Sequence, residues 1–211
     1  MHTLEAIGER IRQHLEEKNA ARDRALQHSR TLIRHCANAI RAVHRDELQE
    51  ASLHLQEARA LVEELRRGLS AYPDLYHAGY AQDALKEYAE ANITYALIGG
   101  EQLPDPDALG VEYAAYLGAL GEAAGELRRR VLDILRHGHS QEAERLLSAM
   151  DDIYGLLVTV DFPDAITGNL RRTTDMVRGV TERTRGDMTT SFQQHELKVA
   201  LKAVEEKLQR P

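Results

Sequence analysis

The residues best suited to chemistry are carboxylates on two helical stretches. In Tyr80-Ala-Gln-Asp-Ala-Leu-Lys-Glu-Tyr-Ala-Glu-Ala-Asn-Ile-Thr94, the spacing of Asp83, Glu87, Glu90 and Thr94 puts all four on one narrow helix face. The other positions are mostly apolar (Ala81, Ala84, Leu85, Tyr88, Ala89, Ala91, Ile93), and a helix apolar around most of its girth is buried. Like charges held there need a cation, a shared proton or a basic partner. Glu122 and Glu126, four residues apart, project from one face of the next long helix, followed by Arg129 and Asp133. Gly118, Gly121 and Gly125 line the adjacent face. A glycine inside a helix costs about 1 kcal/mol, so three of them point to close approach by another helix or a ligand. With the two helices as neighbours, Glu87, Glu90, Glu122 and Glu126 converge. Such an all-oxygen set suits Mg²⁺ or Mn²⁺ better than zinc. Taken singly, each carboxylate pair also reads as an ordinary solvated helix face.

Other metal and nucleotide designs are absent. No Glu-x-x-His pair, His-Glu-x-x-His motif, phosphate-cradling Gly-rich loop or zinc-type Cys/His spacing occurs. His137 and His139 read as helix-end residues. The single Cys36 keeps helical register with Ile33 and Ile40, which makes it a core residue, and it leaves no partner for a disulfide. Arginines gather at Arg22 and Arg24, at Arg30 and Arg34, at Arg128-Arg129-Arg130, and from Arg171-Arg172 to Arg185. Any one group reads as a solvated face. Arg128, Arg129 and Arg130, with Arg30 and Arg34, are the candidates for phosphate contact, because a planar guanidinium suits bidentate phosphate binding.

The elements that must position these groups are all helical. The spacing predicts helices over about Thr3 to Val43, Asp46 to Gly68, His77 to Leu97, Gly110 to Arg136, Ser140 (as N-cap) to Leu157 and Pro163 to Thr184. A polar seventh follows Gly186 to Leu208, with Phe192, Leu197, Val199, Leu201 and Val204 expected to dock on the body or on a neighbouring subunit. Leu69 to Tyr76, with Ser70 and Pro73, reads as a linker, and Glu101 to Leu109, with Pro104 and Pro106, can hold only a loop or a helix start. No period-2 alternation persists, so no sheet is expected. The reading is one all-α domain of about seven helices, spanning residues 1–211.

Composition agrees. The 211 residues are 43% hydrophobic but contain no Trp and two Phe, so the core must rest on Leu, Ala, Val, Ile and Tyr, which suits closely packed helices. A net charge of −7 argues against coating a polyanion by bulk positive charge. No signal peptide is visible, and no apolar run approaches the roughly 20 residues needed to span a bilayer. A cytoplasmic protein without membrane attachment is expected.

Three stretches resemble the translin family, which includes translin and translin-associated factor X. Gly79 to Ala91 resembles the family's Gln-Glu-Tyr-Val-Glu-Ala segment. Val111 to Arg129 is similar to its Asp-Tyr-Leu-x-Gly…Asp-Leu-Thr-Gly-Glu-Leu helix. Phe162-Pro163 through Leu170-Arg-Arg-Thr-Thr-Asp175 to Gly186 resembles its late helices and Arg-Gly ending. The likeness runs in order along nearly the whole chain. It implies a protomer of about seven helices in closed homo-oligomers, commonly octamers, that enclose nucleic acid. In the factor X branch, carboxylates bind Mg²⁺ and cut single-stranded RNA. Glu87, Glu90 and Glu126 match three of those positions, and Glu122 stands where that branch has Asp, with a longer reach. Keeping all four acids favours the nuclease over the alternative, a non-catalytic binder of single-stranded RNA or DNA. A helical scaffold without nucleic acid is the remaining alternative.

Overall fold

The computed structural model describes residues 3–138 and 141–208. Thr3 starts the first helix, its side-chain oxygen accepting from the Ala6 N–H at 3.4 Å. Helix α1 then runs unbroken over Leu4–His44. A tight corner at Asp46 (φ 61°) turns the chain into α2, Leu48–Leu69. The segment expected as a linker contains one helical turn, α3 (Pro73–Tyr76), opened by Pro73 at a position where a missing N–H costs nothing. Helix α4, Gly79–Gly99, ends at Gly100 in the left-handed region (φ 73°). Arg145 closes its end by donating to the Leu97 and Ile98 carbonyls at 2.6 and 3.2 Å. The stretch expected to hold a loop or a helix start contains a short α5, Pro106–Leu109, capped by Asp105. Helices α6 (Tyr113–Leu135) and α7 (Gln141–Thr159) follow as expected. Ser140 and His139, read as N-cap and helix-end residues, lie outside the described residues.

The late helices depart from expectation. Pro163 opens only a four-residue α8, Asp164–Thr167, which stops where Gly168 and Asn169 both take positive φ. The sixth and seventh helices are instead one, α9 (Leu170–Leu208), running straight through Gly186. Burial explains this. Val177, Thr181, Thr184 and Met188 seat that stretch of α9 in the body, which outweighs the roughly 1 kcal/mol preference of Gly186 for leaving a helix. Among the described residues every element is helical, so the fold is all-α.

Helix α4 occupies the centre. It packs against α1 and α6 on its two flanks, while α2 lies on α1, and α7 and the first half of α9 lie on α6. Its apolar girth (Ala81, Ala84, Leu85, Tyr88, Ala89, Ala91, Ile93, Ala96) is buried, as is Cys36 on α1. Two of the three glycines of α6 mark close approaches. A Cβ on Gly121 would meet Thr173 Cγ2 of α9 at 2.2 Å, and one on Gly118 would meet Lys86 Cδ of α4 at 3.3 Å. Gly125 faces open space.

Both long helices extend past the body with uncovered apolar stripes. Leu4, Ile11 and Leu15 of α1 are 54–87% exposed, and Leu197, Val199, Leu201 and Val204 of α9 are 53–60% exposed. The last turns of α9 therefore do not dock on this chain's own body. No helix among the described residues is long and apolar enough to cross a membrane.

Candidate metal centre

Packing α4 against α6 brings three acids together. One oxygen each from Glu87, Glu90 and Glu122 lies within 4.8 Å of the other two. That spacing is within reach of the oxygen ligands of one octahedral hard cation, opposite members of which stand about 4.2 Å apart. Glu90 is buried and Glu87 and Glu122 are half-buried. The other two polar residues of the α4 face part company: Asp83 is exposed, and Thr94 is fully buried with an unpartnered Oγ1.

The electrostatics reflect the crowding. Burial, then the charges of Glu87, Glu122 and Glu126, push the Glu90 carboxyl up to about 8, with Lys86 opposing. Burial and the Glu122 charge also raise Glu87. The same field reaches Cys36, whose thiol is driven upward first by burial and then by Glu87 and Glu90. That makes it an inert core residue.

Glu126 is engaged differently. Its Oε2 lies 2.5 Å from Nε2 of the buried His44, and Arg129 is 3.7 Å away on its exposed side. The His44 hydrogen bond holds the Glu126 carboxyl below the usual range, against the effect of burial. Glu126 therefore stands beside the three-oxygen cluster, as an ionised group with its own partner.

On the other side, Lys86 Nζ donates to Glu122 Oε1. Burial works against the Lys86 charge, but the hydrogen bond and the fields of Glu122, Glu87 and Asp83 raise its pKa overall. Glu122 Oε2 is buried without a hydrogen-bond partner. A carboxylate oxygen stranded beside two further carboxylates is a donor set that a hard divalent cation fits.

The candidate arginines divide. Arg128 donates to Thr184 Oγ1 at 3.1 Å and pairs with Asp187 at 2.8 Å. Arg130 pairs with Asp46 at 2.8 Å and with Glu142 at 3.0 Å. Both tie α6 to its neighbours. Arg129 is exposed next to Glu126, and Arg30 and Arg34 are exposed one turn apart on α1, the helix that also carries His44.

Sequence reasoning did not single out Lys86 or His44. Lys86 had a signal, being the lone cation on the buried carboxylate helix. His44 had none, since its partner is 82 residues away.

No protein-family model matches the chain. An uncharacterized protein of Methanocaldococcus jannaschii is 31% identical over 194 residues, which span 91% of this chain and 86% of that protein. Among solved structures, AfC3PO superposes with a TM-score of 0.82 at 34% identity, covering 88% of this chain and 97% of that one. The complex of AfC3PO with duplex RNA gives 0.81 at 33% identity, covering 88% and 96%. Apo-NeC3PO gives 0.80 over 90% of this chain and all of that one at 20% identity, a likeness of fold alone.

Proposed function

This chain belongs to the translin family, and from that premise we propose that it is an RNA-binding homo-oligomer, an octamer, with Mg²⁺-dependent endoribonuclease activity on single-stranded RNA. The observation that carries the reading is the meeting of Glu87, Glu90 and Glu122, with a stranded Glu122 oxygen among them. The neighbour solved with duplex RNA supports RNA as the nucleic acid. A closed assembly would reconcile the acidic average with phosphate binding, by keeping basic side chains on an inner surface.

In this reading Glu87, Glu90 and Glu122 would hold the divalent ion, with Mn²⁺ able to replace Mg²⁺. When bound, the ion supplies charge stabilisation at the phosphoryl oxygens and lowers the pKa of water. Glu126, kept ionised by His44, orients the attacking water from outside the three-oxygen cluster. Arg129, exposed beside it, neutralises the phosphate, and Arg30 and Arg34 guide the strand. Water oxygen forms the new bond to phosphorus while a carboxylate accepts the water's proton, and the bond to the leaving ribose oxygen breaks as that oxygen takes up a proton from solvent to leave as a hydroxyl.

A second reading, a non-catalytic RNA or DNA binder, draws on one observation. Lys86 and His44 already engage Glu122 and Glu126 within the chain. Titrating Mn²⁺ into EDTA-stripped protein separates the two. The nuclease reading expects one saturable site per chain, lost in Glu87→Gln. Mn²⁺ left free by the wild type would favour the binder.

A further inference from the structure

Three carboxylates meet within a few ångströms of one another in a half-buried cleft, where like charges repel. Something in the chain must offset the repulsion. The nearest cation is Lys86, whose ammonium hydrogen-bonds Glu122 directly.

This contact is built from both helices. Lys86 leaves α4 one residue before Glu87, and its stem passes over α6 at Gly118, where an added Cβ would stand 3.3 Å from Cδ. Gly118 is one turn before Glu122, so the missing side chain clears the path that brings Nζ to the carboxylate. The longer reach of Glu122 completes the span. Fixing Oε1 leaves Oε2 buried and unpartnered beside the other acids. Both members of the pair are half-buried, with side chains 25% and 37% exposed, so solvent screens the pair only in part.

We propose that Lys86 is the internal counter-ion of the carboxylate centre, holding Glu122 in place before a divalent ion arrives and setting how tightly that ion is held. The ammonium neutralises one negative charge of the cluster and leaves the second Glu122 oxygen free for an ion. When an ion enters, the same ammonium opposes it as a like charge a few ångströms away. Lys86 therefore stabilises the metal-free state and weakens metal binding, which keeps the ion exchangeable. The inference rests on the metal centre proposed above.

The test uses full-length, EDTA-stripped protein and titrates Mn²⁺, following the free ion by its paramagnetic resonance signal. Lys86→Met removes the charge and keeps the stem. It is expected to bind Mn²⁺ roughly tenfold more tightly, the effect of removing a unit like charge a few ångströms away in a partly screened site. Its metal-free melting temperature should fall, and saturating Mn²⁺ should raise it by more than it raises the wild type's. Lys86→Arg keeps the charge and is expected to stay near wild-type affinity. Lys86→Gln is the second neutral variant, should Lys86→Met fold poorly without metal, and the same gain is expected of it. A lysine that merely packed the cleft would lower stability without tightening metal binding. Equal or weaker Mn²⁺ binding in both neutral variants, with the wild type binding normally, would overturn the counter-ion alone. Mn²⁺ left free by the wild type as well would overturn the metal centre and the inference together.

Discussion

Glu90→Gln is expected to reduce RNA cleavage by roughly 10²–10³-fold, the scale of losing one charge-stabilising group from a catalytic site, while making the metal-free protein more stable at pH 8. The second half separates a metal centre from a structural ion pair. Glu90 is 8% exposed and sits among Glu87, Glu122 and Glu126, with its carboxyl raised to about 8. In the unfolded chain it titrates near 4.5. The folded state thus binds the proton more tightly, and the stability this brings is fully present below pH 4.5 and lost as pH rises through about 8. Gln cannot ionise, so the variant escapes that loss, worth on the order of a few kcal/mol at the alkaline end. Melting temperatures between pH 5 and pH 9 should fall more steeply for the wild type, with the two proteins closest at the acid end. A buried acid paired with arginine would behave oppositely, because removing its charge strands the partner. Reduced stability at pH 8, or undiminished cleavage, would contradict the assignment.

The second large effect concerns assembly. Leu197, Leu201 and Val204 fall at i, i+4, i+7 on α9, and Leu4, Ile7, Ile11 and Leu15 keep a similar register on α1. Both stripes are uncovered on the isolated chain. Apolar rows at helix-packing spacing that the chain's own body does not cover are what a subunit interface supplies. The wild type is expected to scatter light as an assembly many times the 23.7 kDa chain mass, and Leu197→Asp with Leu201→Asp to shift it to small species. Because these residues stand clear of the body, the variant should keep its helical circular dichroism. Wild-type protein at the chain mass in micromolar solution would contradict the proposed assembly.

How far the sequence reveals the site depends on how local each contact is. Glu87 and Glu90 could be read directly, since their spacing and the apolar girth of α4 together say that two acids lie on a buried helix. That Glu122 joins them while Glu126 turns aside could not. Both acids share a face of α6, and the difference comes from Lys86 on α4 and His44 at the far end of α1. The arginine run illustrates the same limit. Arg128 and Arg130 look free in sequence, but Asp187, Asp46 and Glu142 reach them from other elements. The helix start expected at Thr3 held closely, and the end expected near Leu97 falls at Gly99. The Gly186 boundary did not hold, because a glycine stops a helix only when nothing packs on both sides of it. The glycines of α6 were legible as close approaches at Gly118 and Gly121, but only packing could say that Gly125 faces open space.

The most direct test of the central claim is cleavage of an end-labelled single-stranded RNA by purified protein, with Mg²⁺, with EDTA, and with Mg²⁺ restored in excess over EDTA. Cutting that requires Mg²⁺, stops in EDTA and returns on restoration is the predicted result, with Glu87→Gln and Glu90→Gln inactive beside a wild type handled identically. RNA that is bound and shifted but stays whole with Mg²⁺, or that is cut equally well in EDTA, would contradict it.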